Sequence, residues 1–195
     1  MRRVRERERK PLPFDPIAEA WRQWEAHGWA GSAPTMAVVT SVMRVQQMLL
    51  RRADSALRGL GLTFARYEVL MLLSFSRRGA LPLGKIGERL QVNPASVTNA
   101  VGRLEKQGLV ERVPNPADGR GTLAALTREG RRLSAEATDV VNAEVFGELG
   151  LDPGELHALW ALLRRVRLAG GDFNGDGGDF SGAGGDLSGA GATDR

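Results

Sequence analysis

The sequence of 195 residues contains no cysteine and only two histidines, His27 and His157. The absence of cysteine excludes disulfide bonds, thiolate catalysis, thiol-based redox sensing and cysteine-ligated zinc. Because the two histidines lie far apart in the sequence, a histidine-rich metal site is not expected either. We therefore expect neither a metal site nor a cofactor.

Long apolar runs and catalytic motifs are also missing. No stretch reaches the roughly 18 apolar residues that a membrane span needs. The charged N-terminus leads into Pro11 without the apolar run of a secretory signal. The sequence shows no glycine-rich phosphate loop after a strand and no histidine beside a nucleophile. These absences predict a cytoplasmic protein that is not an enzyme.

Charge is present, and it is unevenly distributed along the chain. The formal net charge is +4, from 27 lysines and arginines against 23 aspartates and glutamates. An excess of arginine in residues 1–10 cancels an excess of aspartate in residues 170–195. The net positive charge lies in residues 63–130, which hold ten basic and six acidic residues. Such a lobe indicates a surface for nucleic acid, although many domains without that partner are mildly basic too.

Composition and periodicity divide the chain into four parts. The C-terminal part is a glycine-rich, seven-residue repeat that cannot bury enough apolar surface to fold. The predicted parts are a disordered basic arm (1–13), an extra N-terminal helix (14–33), a main domain (34–169) and a disordered Gly/Asp-rich tail (170–195). Within the main domain, a central lobe (63–127) separates two helical regions (34–62 and 128–169).

Capping residues and helical periodicity predict seven helices, so the fold class is mainly α with a small β-hairpin. N-caps are expected at Asp15, Thr63, Asn93, Thr127 and Asp152, and proline follows at the first helical position after Asp15, Asn93 and Asp152. The helices are expected from Asp15 to about His27, about Pro34 to Gly59, Thr63 to 77–79, Leu83 to Leu90, Asn93 to Gly108, Arg128 to Leu149, and from Asp152 onward, where Asp152 and Glu155 form a capping box.

The fourth and fifth helices form a helix-turn-helix pattern. Only the turn 91–93 separates them, and the fifth helix places Val97, Val101 and Leu104 inward. Small and polar side chains on the outward face suit entry into a DNA groove and contacts to bases and phosphates. A solvated polar helix face is the alternative interpretation. The outward residues are Ala95, Ser96, Thr98, Asn99, Arg103 and Lys106.

A β-hairpin follows the fifth helix directly, as the wing does in a winged helix. Residues 109–113 alternate like a strand, the loop 114–121 is rich in turn residues, and 122–126 return as the second strand. Arg120 lies near the tip, where a guanidinium suits a minor groove, and Asp118 is placed to brace it. The alternative is a plain turn with an exposed ion pair.

Two segments of the chain resemble motifs of the MarR family of winged-helix regulators. Residues 118–130 (DGRGTLAALTREG) are similar to the family's wing signature, and residues 103–110 (RLEKQGLV) to the exit of its recognition helix. The resemblance covers roughly residues 34–169. It implies a winged helix-turn-helix lobe, an obligate homodimer, and binding to palindromic double-stranded DNA operators. It also implies that Ser96, Thr98, Asn99, Arg103 and Arg120 contact DNA.

The remaining helices suit a dimerisation region. The long helix carries an apolar stripe, and so does the last helix, which we expect to bury Leu156, Leu159, Leu162, Leu163 and Val166. One protomer offers no evident place for both stripes, whereas intertwined terminal helices of two chains bury them. An intramolecular bundle is the alternative that periodicity leaves open, and the family resemblance favours the dimer.

The extra N-terminal helix is similar to the one in the urate-responsive and tricarboxylate-responsive branches of this family. That resemblance implies a site for a small carboxylate or a urate-like anion. Ala100 and Gly119 stand where the urate branch has arginines. Simple packing of the tryptophans is the alternative interpretation. The candidate ligand residues are Trp24, Arg22, Arg44, Arg66 and Glu68.

These observations predict a sequence-specific, DNA-binding transcriptional regulator. Its expected form is a homodimeric repressor that a small anionic effector releases from the operator. The alternative is a protein-interaction module or an architectural DNA-binding module without a small-molecule effector.

Overall fold

The computed structural model describes residues 11–116 and 121–175. They form seven α-helices and one three-stranded antiparallel sheet, so the predicted fold class is confirmed. The elements are α1 (Pro16–Ala26), α2 (Ala33–Leu57), α3 (Phe64–Phe75), β1 (Ala80–Pro82), α4 (Leu83–Leu90), α5 (Pro94–Lys106), β2 (Val110–Pro114), β3 (Thr122–Leu126), α6 (Arg128–Val141) and α7 (Pro153–Ala169).

The chain divides into two compact units, Met1–Arg51 and Arg52–Arg195. In the first unit, Asp15 begins α1 as predicted, because its carboxylate accepts a hydrogen bond of 2.8 Å from the backbone N–H of Ile17. Trp24 packs edge-on against Trp29, with their ring centroids 5.4 Å apart. Over residues 38–50 of α2, a stripe of seven large apolar side chains is exposed: Val38, Val39, Val42, Met43, Val45, Met48 and Leu50.

The second unit is built around one hydrophobic core. Side chains from α3, α4, α5, α6 and the sheet are buried together with the end of α2. The largest fully buried side chains of this core are Leu57, Val69, Leu70, Leu73, Ile86, Val97, Val101, Leu104, Val110 and Val141. At about 1.5–3 kcal/mol for each side chain removed from water, this burial supplies the main stabilisation of the unit.

The sheet contains one strand more than the predicted hairpin. β2 and β3 pair as predicted, with Val110 opposite Leu126 and Pro114 opposite Thr122. β1 adds to the other edge of β3, with Ala80 opposite Ala125, so the strand order is β1-β3-β2. The expectation of a single strand pair was therefore wrong. A strand of three residues leaves no alternating pattern, and its partner lies some forty residues further along the chain.

The start of α3 differs from the prediction in its chemistry. Thr63 occupies the N-cap position, but its side chain makes no capping hydrogen bond with any described residue. The cap comes from α2, where the Asp54 carboxylate accepts a hydrogen bond of 2.7 Å from the backbone N–H of Phe64. A carboxylate is favourable here because the N-terminus of a helix carries partial positive charge.

Two helix ends fall earlier than predicted. α3 stops at Phe75 rather than at 77–79, because the backbone at Ser76 is already extended. α6 stops at Val141, and the chain continues as a π-helical turn over Asn142–Phe146, so the predicted end at Leu149 was too late. Apolar periodicity does not distinguish α from π winding over a single turn, and it predicts the presence of a helix better than the residue at which the helix ends.

The last helix begins as predicted, but it is not buried. Asp152 and Glu155 form the predicted capping box. Within the described part of the chain, however, α7 contains no buried residue. In the single chain its apolar stripe is exposed, with exposed fractions of 41% at Leu156, 39% at Leu159, 57% at Leu162, 37% at Leu163 and 64% at Val166. Its burial between two chains stays a prediction.

At Gly130, α6 packs closely against the two ends of the hairpin. A Cβ atom at this position would lie 2.0 Å from the backbone oxygen of Leu109 and 2.9 Å from a methyl group of Leu126. Thr127 caps the same helix as predicted, since its hydroxyl accepts a hydrogen bond of 3.0 Å from the backbone N–H of Gly130. Only glycine therefore allows α6 to start directly against the end of the hairpin.

The first six residues of the predicted tail are described, and the side chains of two of them contact α7. The carboxylate of Asp172 accepts a hydrogen bond of 2.6 Å from Nε of Arg167. The ring of Phe173 lies 5.0 Å from the guanidinium of Arg164 and 5.4 Å from that of Arg167. The rest of the tail and the arm over 1–10 lie outside the described residues, so their disorder stays a prediction.

Candidate nucleic-acid interface

The helix-turn-helix is formed by α4 and α5, which a three-residue turn joins. Gln91 takes a left-handed conformation with φ 52°, and its side-chain amide donates a hydrogen bond of 2.9 Å to the backbone oxygen of Glu88. A Cβ atom at Gly87 would lie 3.2 Å from the backbone oxygen of Val92 and 3.3 Å from Val97. The small residue therefore lets the two helices close around Ile86, which is fully buried.

The inward face of α5 holds the helix in the core. Val97, Val101 and Leu104 are buried as predicted, with exposures of 2% or less. Asn93 begins the helix, because its side-chain oxygen accepts a hydrogen bond of 2.8 Å from the backbone N–H of Ser96, and Pro94 follows at the first helical position. This burial leaves the opposite face of α5 in solvent.

The structure brings the six predicted residues of α5 together on that exposed face. The Thr98 hydroxyl donates to the backbone oxygen of Pro94 over 2.9 Å, and Nε of Arg103 donates to the side-chain oxygen of Asn99 over 3.0 Å. The Asn99 contact holds the guanidinium beside the helix surface. All six side chains of the set are exposed: Ala95, Ser96, Thr98, Asn99, Arg103 and Lys106.

An ion pair that the sequence analysis missed joins α5 to the hairpin. Nε of Arg112 on β2 lies 3.1 Å from a carboxylate oxygen of Glu105 on α5, and both side chains are partly exposed. Glu105 lies on a helix and Arg112 on a strand, so no periodic pattern within one element indicates the contact. The pair therefore connects β2, the strand that leads into the wing, to α5.

The tip of the predicted wing lies outside the described residues. β2 and β3 approach each other up to Asn115, whose backbone N–H donates to the backbone oxygen of Gly121 over 2.9 Å. Asp118 and Arg120 belong to the undescribed stretch 117–120. Their predicted contacts with DNA stay predictions.

Two of the candidate ligand residues of the first unit already have partners. Nε of Arg22 donates to Glu19 over 3.0 Å, and Trp24 packs against Trp29. The side-chain amide of Gln23 and the guanidinium of Arg22 hold the pKa of the Glu19 carboxyl below its usual range. Arg44 is exposed on α2. The Trp24 contact accords with the simpler interpretation, in which the tryptophans serve packing.

The candidate ligand residues of the second unit, Arg66 and Glu68, lie two positions apart on α3 and do not share a face. Arg66 donates to the Thr63 hydroxyl and to the Gln107 side chain. Burial raises the pKa of the half-buried Glu68 carboxyl. Among residues 11–116 and 121–175, no three histidine or acidic side chains are grouped so as to hold a metal ion.

Comparison with known proteins finds one family repeatedly. The sequence profile of the MarR family matches residues 60–121. The multiple antibiotic resistance protein MarR of Escherichia coli is 31% identical over 124 residues, which cover 63% of this chain and 85% of that protein. Sco5413, a MarR family transcriptional regulator from Streptomyces coelicolor, is 51% identical in its solved structure, with a TM-score of 0.66 and coverage of 72% of this chain and 97% of that one.

A second solved structure from Streptomyces coelicolor contains DNA. The MarR family regulator Sco3205, in complex with DNA, is 29% identical, with a TM-score of 0.60 and coverage of 68% of this chain and 84% of that one. Two further curated regulators match over shorter segments: the organic hydroperoxide resistance transcriptional regulator of Bacillus subtilis over 54% of its length, and an HTH-type transcriptional regulator of Mycobacterium bovis over 61%.

In the described parts of the chain, no helix is both long enough and apolar enough to cross a membrane. The relatives that match are transcriptional regulators and not enzymes. With the E. coli relative matched over most of its length and the structural match extending over nearly all of Sco5413, the chain belongs to the MarR family of transcriptional regulators.

Proposed function

We propose that the chain is a repressor that binds a palindromic DNA operator as a homodimer, and that a small anionic effector releases it. The observation that carries the DNA-binding part is the face of α5. The N-terminal part of that face carries small and polar residues, and its C-terminal part carries cations. The whole face is exposed, whereas the opposite face of α5 is buried. A solved relative, Sco3205, was crystallised with DNA.

In this proposal α5 enters the major groove with its N-terminal turns. Ala95 is small enough for close approach, and Ser96, Thr98 and Asn99 carry groups that bond base edges. Arg103 and Lys106 contact phosphates or guanine, while Asp118 and Arg120 place the wing at the minor groove. Contacts to phosphate set the register of the protein on DNA, whereas contacts to bases select the sequence.

The homodimer is supported by the two exposed apolar stripes. Neither the apolar stripe over residues 38–50 of α2 nor the stripe of α7 is covered within its own unit in the part of the chain that the structure describes. Exposed apolar stripes of this length are typical of protein interfaces. In a dimer with twofold symmetry, both copies contribute the same surface patch to the interface, so the stripes of one copy can be covered by those of the other. Dimers of this kind place their two recognition helices about one DNA turn (~34 Å) apart.

The test is a selection of binding sequences from random duplex DNA, followed by gel-shift measurements at several salt concentrations. Three cations for each protomer, Arg103, Lys106 and Arg120, predict a slope of log affinity against log salt of about −5 for the dimer. The selected sequence is expected to be palindromic. No binding at low salt contradicts the proposal, and binding without any sequence preference supports an architectural module instead.

Effector control is the second part of the proposal. Among similar solved structures, CouR from Rhodococcus jostii is bound to p-coumaroyl-CoA, and the DNA binding of BpsR from Bordetella bronchiseptica is regulated by 6-hydroxynicotinic acid. In this chain, the candidate ligand residues of the first unit are Arg22, Trp24 and Arg44, and those of the second unit are Arg66 and Glu68. Arginine suits carboxylate ligands because its guanidinium bonds them in pairs.

A thermal-shift screen with urate, citrate and aconitate tests this part. A ligand at one hundred times its dissociation constant adds about 2.7 kcal/mol to the stability of the native state, which raises the melting temperature by about 5 °C. The Arg44→Ala variant is expected to lose the shift. The same ligand must weaken DNA binding, since the coupling between two sites is reciprocal. Unchanged melting with all three compounds contradicts the effector assignment.

A further inference from the structure

The C-terminal end of α5 is tied to the corner between α2 and α3 by side-chain hydrogen bonds. We call this group the corner clamp, and it consists of Asp54, Gly61, Arg66 and Gln107. Gln107 follows directly after α5, Gly61 ends the 3-10 turn after α2, and Arg66 lies in the first turn of α3. The clamp therefore joins three helices at a single point.

Both ends of the Gln107 amide are used in the clamp. Its oxygen accepts a hydrogen bond of 3.2 Å from Nη1 of Arg66, and its nitrogen donates one of 3.1 Å to the backbone oxygen of Gly61. These two bonds orient the side chain, because an amide with donor and acceptor both engaged has one favourable rotation. Arg66 is held in turn by the Thr63 hydroxyl, which accepts from its Nε over 3.2 Å.

Asp54 completes the clamp from the side of α2. Its carboxylate caps α3 through the backbone N–H of Phe64, over 2.7 Å, and this contact is partly buried. The end of α2 is thus bonded to α3, and α3 is bonded through Arg66 to the end of α5. The end of α2 and α5 are therefore connected by directional hydrogen bonds as well as by non-directional apolar packing.

We propose that Gln107 is a positioning residue for DNA recognition, which fixes the tilt of α5 relative to the end of α2 without contacting DNA. This inference rests on the proposed function. α5 has 13 residues and is therefore about 20 Å long. A rotation of about 10° about its C-terminal end moves its first turn by about 3.5 Å, close to the ~3.4 Å rise of one base pair.

The consequence concerns the spacing of the two half-sites in a palindromic operator. A dimer that presents two recognition helices binds best when their separation matches the half-site spacing. Within each protomer the clamp holds α5 at a fixed tilt against the end of α2. The separation of the two recognition helices in the dimer depends on that tilt. Removal of the Gln107 hydrogen bonds is therefore expected to leave the affinity for a single half-site unchanged and to lower the preference for the natural half-site spacing.

The experiment compares full-length wild-type protein with Gln107→Met, which removes both hydrogen bonds, and Gln107→Glu, which keeps an acceptor for Arg66 but loses the donor to Gly61. Gln23→Met is the matched control, since the Gln23 amide donates to Glu19 within α1. Each protein is titrated with the selected operator, with duplexes whose half-sites are one base pair closer or further apart, and with a duplex carrying a single half-site.

Gln107→Met is expected to lower affinity for the operator about tenfold, an effect of the size of one mismatched base pair. Its affinity for the single half-site stays within about twofold, and its preference for the natural spacing falls. Gln107→Glu is expected to lie between wild type and Gln107→Met, and Gln23→Met to match wild type. Because the amide is exposed, melting temperatures are expected to stay close to that of wild type.

A double-mutant cycle with Arg66→Met provides a second measurement. If Arg66 acts through Gln107, the double variant loses no more spacing preference than either single variant. Equal losses on the operator and on the single half-site, or an unchanged spacing preference in Gln107→Met, overturn the inference while the proposed function stands. Failure of the wild-type protein to bind any duplex overturns the proposed function, and this inference with it.

Discussion

The substitution Leu163→Glu is expected to dissociate the homodimer. Leu163 lies in the middle of the α7 stripe, between Leu159 and Val166, and it is 37% exposed in the single chain. In the proposed dimer this side chain is covered by the second copy. A glutamate there buries a charge without a partner, which costs about 3 kcal/mol or more, and twofold symmetry introduces it twice. The dimer dissociation constant should therefore rise by at least about a hundredfold.

Sedimentation velocity over a range of protein concentrations measures this effect, with circular dichroism to show that the helices remain. His157→Glu is the matched control, because it adds one negative charge to the same helix at about 100° or more from every member of the stripe. The control is expected to remain dimeric. A Leu163→Glu variant that sediments as wild type would show that α7 is not the dimer interface.

The second large effect is expected from Arg103→Ala on the exposed face of α5. One N–H group of the guanidinium bonds Asn99, over 3.0 Å. A guanidinium has five N–H donors, so the others are available for a phosphate or for the edge of a guanine. Loss of such a contact costs about 1–3 kcal/mol for each protomer, and a dimer loses it twice. We therefore expect operator affinity to fall by about a hundredfold.

Arg132→Ala is the control for the loss of charge alone. Arg132 is an exposed arginine on α6 that is paired with Glu129 and Glu136, so its removal changes the net charge by the same amount away from α5. Gel shifts at several salt concentrations separate the two roles open to Arg103. A phosphate contact reduces the salt slope by about one for each protomer, whereas a base contact relaxes the sequence preference at one position. Equal affinities of the two variants would contradict the assignment.

Features that depend on a few neighbouring residues were predictable. The caps at Asn93, Thr127 and Asp152 were predicted from sequence and are present, because a capping side chain bonds a backbone group two or three residues away. The inward face of α5 was predictable for the same reason, since one period of 3.6 residues assigns every side chain to a face. The candidate DNA surface follows directly from that assignment.

Features that join distant segments were not predictable. β1 pairs with β3 across some forty residues, and Asp54 replaces Thr63 as the cap of α3 across ten. In the sequence, nothing distinguishes Gln107 from other polar residues at the end of a helix. Its hydrogen-bond partners Arg66 and Gly61 lie 41 and 46 residues away. Propensity ranks residues by their local fit, whereas these contacts exist only after the helices have packed.

By itself, the sequence determined which helices form, which face of α5 remains in water, and which family the chain resembles, because local periodicity and short motifs carry that information. Only the tertiary structure decided that no residue of α7 is buried in the described part of the chain and that the recognition helix is bonded to the corner between α2 and α3. Burial and long-range hydrogen bonds are properties of packed elements, and no single stretch of sequence contains both partners.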